Sequence, residues 1–443
     1  MENSPRVCVI GAGCSGLTAL KNCLQAGIKE VVCFEQGSDV GGNWRYSADE
    51  SHSSVCETTH IISSKKLSEY LDFPMPKEYP DYPSHQQVLA YFESYAHQFE
   101  LYPYIQFNTK VESIFPGSNG GWVVQTTKGK ETFDKVMIAN GHHSVPRHPE
   151  LPGEFSGSYL HSHSFKNNRS FTGNKVLVRG GGNSACDCAV EGSRVAEKVG
   201  ISMRRPHYII PKFFLGKPTD TFNKNMLFLP KWIANKMRKL ALKVQVGDYR
   251  NYNLENPEFE ITKDHPTLNS ELLYMIRHGK VLPRKGIEKV EGKNIRFENG
   301  KEEEYDVIIA ATGYKIATPF IDQKLLDYSE ADRIELYLRM FHPTLPGLIF
   351  IGLVQPQGAV WPLSDLQSKL AANQIAGRYS LPANLEKMAK KEADDIEREF
   401  IKRKRHSIEV HYHSYARKLS NLIPANAPSW EDFSSIQTKD VQV

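Results

Sequence analysis

The sequence predicts an α/β protein with two dinucleotide-binding domains of the Rossmann type, because one local pattern occurs twice. The first copy is an apolar strand at residues 6–10, the turn Gly11–Gly16 and a helical pattern up to residue 26. The second copy is a strand at 175–178, the turn Gly180–Ala185 and another helical pattern. A G-x-G-x-x-G/A turn between a strand and a helix is the fingerprint of a dinucleotide site. We therefore expect two nucleotide sites in one chain.

The first turn predicts its nucleotide through the residue types around it. Gly11 makes the tight turn, Gly13 lets the backbone approach a pyrophosphate, and Gly16 allows close helix–strand packing. The phosphates would lie on free N–H groups at the helix N-terminus. The next strand, 31–34, ends at Glu35, about 20 residues past the glycines, where an acid binds ribose hydroxyls and disfavours a 2′-phosphate. The first nucleotide is predicted to be FAD or NAD(H).

The second turn differs at the equivalent strand end. The strand 199–203 is followed by Arg204 and Arg205, where the first site has Glu35. An arginine at this position accepts a 2′-phosphate, which predicts NADP(H). The alternative is a solvated charge pair with no ligand. Ala185 replaces the last glycine of the fingerprint, and a methyl group there still permits close helix packing.

Composition restricts the remaining functions. The chain has 443 residues, of which 40% are hydrophobic and 24% charged, typical of two or three globular domains. A net charge of +4 gives no indication of a nucleic-acid partner. Seven scattered cysteines indicate thiols in a reducing compartment, and no signal peptide or membrane-length apolar run is visible, so we expect a cytoplasmic protein. Neighbours such as His142 and His143 point to opposite faces of an extended segment, so we expect no metal site.

Further motifs, in their order, resemble those of the flavin-containing monooxygenases, the class B flavoprotein monooxygenases. Gly42-Asn43-Trp44 follows the second strand, and A-T-G-Y ends the strand at 305–314. Residues 155–165 fit F-x-G-x-x-x-H-x-x-x-[F/Y]; Baeyer–Villiger relatives have Trp where this chain has Phe165. The segment starting at Gln355 is similar to one that contacts the isoalloxazine ring in the family. The resemblance covers nearly the whole chain.

The resemblance implies FAD at the first site, NADP(H) at the second and O2 as co-substrate. NADPH would reduce the flavin, a C4a-hydroperoxyflavin would form, and a soft nitrogen or sulfur nucleophile of a small-molecule substrate would take the distal oxygen. The alternatives are Baeyer–Villiger oxygenation of a ketone and an uncoupled NADPH oxidase. The residues indicated for cofactor binding are Gly11, Ala12, Gly13, Cys14, Ser15, Gly16, Glu35, Gln36, Gly42, Asn43, Trp44, Val111, Gly180, Gly182, Asn183, Ser184, Ala185, Asp187, Arg204, Arg205, Thr312, Gly313, Tyr314 and Gln355.

Residues 58–65 are similar to the active-site segment of the family, which places His60, Ile62 and Ser63 in the candidate catalytic site. Many members have an asparagine that touches flavin and nicotinamide where this chain has Ile62. Isoleucine can neither donate nor accept a hydrogen bond. We therefore expect a shorter-lived oxygen adduct and more hydrogen peroxide, unless His60 or Ser63 replaces the missing amide.

The motifs also predict the domain organisation. Residues 1–164 and 304–443 form the FAD-binding domain, the latter with C-terminal helices, and 165–303 form the NADP-binding domain with an insertion at about 213–266. Residues 47–82 are expected to be an excursion from the first nucleotide domain. The 155–165 segment is expected to be a linker turn in which Phe155 and Phe165 pack and Gly157 has a positive φ.

Two helical patterns carry further expectations. Residues 231–246 form a basic amphipathic helix whose apolar residues are Trp232, Ile233, Met237, Leu240, Ala241 and Val244. We expect that side to pack on the chain's own body or on a partner subunit, as in a homodimer; the alternative is peripheral contact with a membrane. Cys186 and Cys188, two residues apart on a helix, face different ways and predict core thiols, not a redox pair. The basic run 402–405 predicts a solvated helix end, and we expect a soluble family member without a C-terminal membrane anchor.

Overall fold

The computed structural model describes residues 4–49, 53–118, 120–221, 229–401 and 407–429, and the basic run 402–405 lies outside them. Contacts divide the chain into two compact units. The first unit contains the chain up to Arg45, Lys65–His142 and the chain from Lys315 onward. The second unit contains Tyr46–Ser64 and His143–Tyr314.

A five-stranded parallel sheet forms the centre of the first unit. Its strands, in spatial order, are Leu348–Phe350, Lys135–Ile138, Val7–Ile10, Val31–Phe34 and Ile105–Gln106. Val7–Ile10 is buried on both faces, which explains its uninterrupted apolar sequence. On one face, helix Cys14–Gln25 packs against helix Trp361–Ile375, where Thr18 and Ser368 share a hydrogen bond of 3.0 Å.

An antiparallel meander covers the other face of that sheet. Its strands are Val111–Pro116, Trp122–Thr126 and Gly129–Phe133. Ile114 and Trp122 of the meander belong to the same buried cluster as Cys8 and Ile10 of the sheet. Along Val111–Pro116 only Val111 and Ile114 are buried, because the strand has one covered face and its register shifts between Val111 and Ser113.

The second unit is built on a second five-stranded parallel sheet. Its strands, in spatial order, are Ser158–His161, Val307–Ala310, Lys175–Arg179, Lys198–Ser202 and Val281–Arg284. Helices Asn183–Gly192 and Leu272–Arg277 bury their apolar sides against one face. A smaller sheet lies on the other, with strands Glu302–Glu304, Asn294–Phe297, Ile287–Gly292 and Gly153–Phe155. The predicted class, an α/β protein with two parallel-sheet nucleotide folds, is confirmed.

The remaining elements are peripheral to the two sheets. Helix His85–Gln98 begins with a capping box, in which the Ser84 hydroxyl accepts from the Gln87 N–H and the Gln87 side chain accepts from the Ser84 N–H. The other helices are Lys65–Ser68, Lys231–Gln245, Leu385–Glu399 and Tyr412–Leu422. The short strands are Val145–Pro146, Ile209–Ile210, Phe213–Phe214, Lys217–Pro218, Thr267–Leu268, Tyr314–Lys315, Gln355–Pro356 and Glu409–Val410.

The units change over at residues 143 and 315, whereas the sequence places the domain boundaries at 165 and 304. The difference arises because Ser158–His161 and Val307–Ala310 pair with each other inside the second sheet. Part of the expected excursion 47–82 also belongs to the second unit. There Cys56 joins a buried cluster with Val176 and Ala189.

Gly157 does not have the predicted positive φ, so that expectation is wrong. The glycine is needed for a different reason: a Cβ atom there would lie 2.3 Å from the carbonyl oxygen of Asp306. The predicted packing of Phe165 is confirmed, because its buried ring stacks on Phe171 at 5.4 Å. The segment 155–165 is therefore more than a linker, because it contains the edge strand Ser158–His161, which pairs with Val307–Ala310.

Helix Lys231–Gln245 is present, but most of its apolar stripe is exposed, and only Ile233 and Ala241 of the stripe are half-buried. Trp232, Leu240 and Val244 are 64%, 64% and 75% exposed. Ala234 and Leu242, on another side, are the buried residues. The expected packing on the chain's own body is therefore wrong for these three residues, and packing on a partner subunit stays a prediction. Among the residues that the structure describes, no helix combines the length and apolar character needed to cross a membrane.

Candidate functional site

The first glycine turn is fixed by close backbone packing at the end of strand Val7–Ile10. A Cβ atom on Gly16 would lie 1.7 Å from the carbonyl oxygen of Gly11, so no side chain fits between the helix and the turn. Gly13 caps the helix without a side-chain hydrogen bond, and no acid occupies the first helical turn. The amide dipoles at this end are therefore available for an anion such as a pyrophosphate.

Glu35, which the sequence indicates as a ribose ligand, also forms hydrogen bonds with the backbone of this turn. Its side chain is 6% exposed, and its two carboxylate oxygens accept from the N–H groups of Ala12 and Gly37, each at 2.7 Å. The acid thus fixes the turn through two hydrogen bonds within the protein. Each carboxylate oxygen has a second lone pair for a ribose hydroxyl, so the predicted role remains compatible with this geometry.

Other residues predicted for the first site lie around this turn to different extents. The Gly41 N–H donates to the Ala12 carbonyl at 3.1 Å, which brings the short helix Gly42–Trp44 beside the turn. A Cβ atom on Gly42 would lie 3.0 Å from the Cα of Gly13. These residues, with Cys14 and Ser15, form one group, and Asn43 is half-buried beside it.

Three other residues predicted to bind the cofactor lie in or next to strands of the first unit. Val111 is buried and pairs with Thr126 at the start of the meander. Gln36 is exposed one residue after the acid. Gln355 begins a two-residue strand, where its N–H donates to the Ile408 carbonyl at 2.8 Å. All three belong to the first unit, and their contact with a cofactor stays a prediction.

The second glycine turn combines one crowded position with one open position. A Cβ atom on Gly180 would lie 2.3 Å from the carbonyl oxygen of Ala311, whereas a Cβ atom on Gly182 would meet nothing within 4 Å. Ala185 is fully buried, as expected for a methyl group at the helix–strand contact. The space beside Gly182 suits a ligand phosphate, because the protein itself gives no reason for a glycine there.

Arg204 and Arg205 are exposed directly after strand Lys198–Ser202. Within the described residues, neither guanidinium makes a hydrogen bond or an ion pair. Burial lowers the pKa of nearby Arg179, and the positive charge of Arg204 lowers it further. The two arginines thus leave unneutralised charge at the strand end, which is what a 2′-phosphate requires.

Two polar residues predicted for the second site also have structural partners. Asn183 accepts from the Leu268 N–H at 2.8 Å, and Asp187 accepts from the Asn269 side chain at 3.0 Å. Ser184 is exposed between them at the helix start. These contacts orient the first two turns of the helix Asn183–Gly192, which would face the nucleotide.

The A-T-G-Y strand end is tied to its own unit by several bonds. The Thr312 hydroxyl donates to the Arg147 carbonyl at 2.6 Å, and Gly313 accepts from the Arg147 N–H at 2.9 Å. Burial raises the pKa of Tyr314 to about 12, so its phenol stays protonated. The three predicted residues Thr312, Gly313 and Tyr314 therefore have a structural role in the second unit.

His161 of the fingerprint links to the same strand end. Its Nδ1 accepts from the His163 N–H at 3.1 Å, so the ring proton lies on Nε2, 3.1 Å from the Gly313 carbonyl oxygen. Burial, together with the charge of His148, lowers the pKa of His161 to about 4. The ring is therefore neutral at physiological pH and serves as a positioned donor within the second unit.

The candidate catalytic segment lies in the second unit, and other residues of that unit form hydrogen bonds with its main-chain groups. His60 is exposed and its Nδ1 lies 2.8 Å from the Thr58 carbonyl oxygen, whereas Ile62 and Ser63 are half-buried. Next to these, the Ile61 carbonyl accepts from Lys212 Nζ at 3.2 Å, and the Ser64 N–H donates to Asp220 at 2.6 Å. Sequence reasoning missed Lys212 and Asp220, because nothing local marks them.

The cysteines do not form a redox pair. All seven are free, and Cys186 and Cys188 are buried, as predicted for core thiols. Burial raises the pKa of the Cys186 thiol, which disfavours the reactive thiolate. Over the described ranges, no three histidine, cysteine or acidic side chains are grouped to hold a metal ion.

Known proteins are similar to this chain in sequence and in fold. Flavin-containing monooxygenase 5 of Mus musculus is 35% identical over 94% of this chain and 82% of its own length. Dimethylaniline monooxygenase [N-oxide-forming] 2 of Oryctolagus cuniculus is 34% identical over 94% and 79%. The structure of S-allyl-L-cysteine S-oxygenase from Allium sativum, 22% identical, superposes with a TM-score of 0.69 over 99% of this chain and 93% of that one, which shows a shared fold.

The match to a protein family is nearly complete in length. The family described as flavin-binding monooxygenase-like matches residues 4–436, which include both glycine turns, the fingerprint segment and the A-T-G-Y strand end. As the motifs predict, the chain belongs to the flavin-binding monooxygenase-like family and is a flavin-dependent enzyme that uses O2.

Proposed function

We propose that the protein is an NADPH-dependent monooxygenase that oxygenates a soft nitrogen or sulfur atom of a small molecule. One atom of O2 is transferred to the substrate and the other leaves as water; NADPH supplies two electrons and becomes NADP⁺. The proposal rests chiefly on the difference between the two strand ends, Glu35 at one and Arg204 with Arg205 at the other, which favours FAD at the first turn and NADP(H) at the second. One relative is named as an N-oxide-forming enzyme, and one protein that shares the fold is named as an S-oxygenase.

The residues of the first unit would hold the flavin nucleotide. The N–H groups at the start of helix Cys14–Gln25 would bind the pyrophosphate, and Glu35 would accept from the ribose. When bound, FAD supplies the chemistry of accepting a hydride and activating O2. The protein's own contribution is binding, orientation and exclusion of water, so no side chain of the candidate site needs to be a strong acid or base.

The residues of the second unit would hold NADP(H). The open position at Gly182 would receive the pyrophosphate, and the free charges of Arg204 and Arg205 would bind the 2′-phosphate. Asn183 and Asp187 would keep the first two helical turns in place through Leu268 and Asn269. Selection of NADPH over NADH would therefore depend on the arginines more than on the turn.

Oxygenation of several substrate classes tests the proposal directly. A tertiary amine, a thioether and a cyclic ketone are each given to the flavin-loaded enzyme, and NADPH oxidation and oxygenated product are both measured. We expect products from the amine or the thioether and none from the ketone, because Phe165 stands where ketone-oxygenating relatives have Trp. A lactone from the ketone with no N-oxide or sulfoxide would contradict the proposal.

Ile62 supports a second statement about the same enzyme, namely that part of its NADPH consumption yields hydrogen peroxide. The side chain is half-buried and has no polar atom, and the His60 ring is engaged by the Thr58 carbonyl. A buried polar atom left without its partner costs about 1–3 kcal/mol. We expect Ile62→Asn to lower the ratio of peroxide formed to NADPH oxidised, with Ile62→Val as the matched apolar control. A ratio that is the same in all three proteins would contradict this reading.

We also propose that the enzyme works in the cytoplasm. All seven cysteines are free, and most are buried. Proteins of oxidising compartments usually pair their cysteines in disulfides, so free thiols favour a reducing compartment such as the cytoplasm. Fractionation of cells that express the full chain, with immunodetection in the supernatant and membrane fractions, tests the location. Recovery in the membrane fraction would contradict it.

A further inference from the structure

A small hairpin lies beside the candidate catalytic segment in the second unit. Strands Phe213–Phe214 and Lys217–Pro218 pair antiparallel, and Leu215 and Gly216 both have positive φ, as a two-residue hairpin turn requires. Lys212 and Thr219 close the base of this hairpin, where the Thr219 N–H donates to the Lys212 carbonyl at 2.9 Å.

Both ends of the hairpin base reach the same stretch of backbone. Lys212 Nζ donates to the Ile61 carbonyl at 3.2 Å, on the side before Ile62. Asp220 accepts from the Ser64 N–H at 2.6 Å, on the side after Ser63. The two residues of the candidate catalytic site therefore lie between two charged side chains, each bonded to a main-chain group. Charge-assisted hydrogen bonds of this kind are stronger than neutral ones.

We infer that Lys212 and Asp220 are positioning residues that fix the backbone of Ile62 and Ser63 for the oxygenation reaction. The inference deepens the proposed function and rests on it for its catalytic meaning. Neither side chain needs to touch substrate or cofactor. Their task is to keep a half-buried, hydrogen-bond-free side chain in one place, since Ile62 has no polar atom with which to anchor itself.

The Lys212 end is also connected to the second nucleotide turn. The Lys212 N–H donates to the Ser270 hydroxyl at 2.9 Å, and the preceding residue, Asn269, donates to Asp187 at the start of the nucleotide-binding helix. Burial lowers the pKa of Lys212, and the negative charges of Asp187 and Glu271 offset only part of this shift. A continuous set of bonds thus runs from the nucleotide helix to Ile61.

Asp220 supplies its bond through one oxygen only. Oδ2 accepts from Ser64, while Oδ1 is buried and has no hydrogen-bond partner in the part of the chain that the structure describes. The aspartate therefore holds the Ser64 amide without help from a second donor on the same carboxylate. Removing the carboxylate should free this amide selectively.

Hydrogen exchange at residues 58–66 tests the inference in the flavin-loaded enzyme without NADPH. Asp220→Ala removes the acceptor of the Ser64 N–H, so that amide should exchange about tenfold faster or more, whereas Asp220→Asn keeps an acceptor and should stay close to wild type. Lys212→Met should speed exchange across the same peptide. Lys217→Met, an exposed lysine of the same hairpin, is the matched control and should change nothing there.

A second measurement connects position with chemistry. With NADPH and O2 but no added substrate, Lys212→Met and Asp220→Ala should form hydrogen peroxide several times faster than wild type and the Lys217→Met control. Wild-type exchange rates in both variants, or faster exchange spread evenly over the second unit, would overturn the inference, and so would unchanged peroxide formation. Exchange does not depend on which substrate is oxygenated, so a negative substrate panel would defeat the proposed function and leave this test valid.

Discussion

The two glycine turns have the same backbone plan but are held in opposite ways. At the first, a buried acid accepts from the backbone N–H groups of Ala12 and Gly37. At the second, the Thr267 hydroxyl donates to the Gly181 carbonyl at 2.9 Å, and the arginines at the strand end make no bond to the turn. Arginine has donors only and cannot accept from an N–H group. The acid that selects the first nucleotide therefore also accepts hydrogen bonds from backbone N–H groups of its turn, whereas the arginines that select the second nucleotide cannot do so.

This difference indicates how each nucleotide is retained. The protein's own hydrogen bonds fix the first turn, so we expect little ordering free energy to be lost on binding and a tightly held FAD. The second turn keeps its position at Gly182 open and its charges unneutralised. Such a site suits a nucleotide that enters and leaves in each catalytic cycle.

The largest expected effect comes from equal substitutions at the two turns. Gly16→Ala would place a Cβ atom 1.7 Å from the Gly11 carbonyl, so the helix and turn must separate, and we expect a poorly folded protein without flavin. Gly182→Ala meets open space and should keep wild-type flavin content and melting temperature while raising the KM for NADPH. Flavin absorbance and thermal unfolding measure both. Normal flavin content in Gly16→Ala would contradict the comparison.

Glu35→Ala removes the acceptor that the first turn uses. The buried Ala12 N–H loses its partner at a cost of about 1–3 kcal/mol, and the half-buried Gly37 N–H loses its partner as well, so the melting temperature should fall and FAD should dissociate during dialysis. Glu35→Gln keeps one acceptor oxygen and should recover part of the loss. Glu30→Ala, an exposed acid nearby, is the control and should behave as wild type. If Glu35→Ala binds FAD normally, the acid does not organise the turn.

Acid should weaken the second unit through His161. Its pKa is 6.5 in the unfolded chain and about 4 in the folded one, so between these values the unfolded chain binds the extra proton. The stabilisation is complete above pH 6.5 and is lost as pH falls toward 4. Urea unfolding at pH 7.5 and pH 4.5 should show a smaller difference in His161→Asn, which keeps the acceptor for His163. An unchanged pH dependence would exclude this origin.

The smallest expected effect concerns nucleotide choice at the second turn. Replacing Arg204 and Arg205 by alanine should raise the KM for NADPH by about one to two decades, since a charge-assisted bond to phosphate contributes about 1.5–3 kcal/mol. The KM for NADH and the melting temperature should hardly change, because both side chains are exposed. Arg296→Ala, on the small sheet of the same unit, is the control. Equal losses with NADH would show that the arginines do not read the 2′-phosphate.

The parts of the site that could be predicted from sequence are those built by local chain. Strand, glycine turn, helix and strand tip follow one another within about 30 residues, and their residue types are set by close backbone contact. Lys212 and Asp220 could not be predicted in this way, because they contact residues 151 and 156 positions earlier. The dual role of Glu35 was also hidden, since its bond to Ala12 appears only when two adjacent strands pair.

The errors have the same physical origin. The sequence around Gly157 predicts a special backbone angle, but the constraint comes from the carbonyl oxygen of Asp306, about 150 residues later in the chain. In helix Lys231–Gln245, periodicity identifies an apolar stripe but not the surface that the rest of the unit covers. The chain buries Ala234 and Leu242 instead, and Trp232 stays exposed.

The strand order of the first sheet has a consequence for synthesis on the ribosome. Four of its strands have been synthesised once Ile138 is added, but the edge strand Leu348–Phe350, which pairs with Lys135–Ile138, has not yet been synthesised. At about 5–20 residues per second, that strand follows on the order of tens of seconds later. In this interval the second sheet can be completed, because all five of its strands precede residue 311. The unit that begins the chain is therefore the one that finishes folding last, with an unpaired apolar strand edge exposed in the meantime.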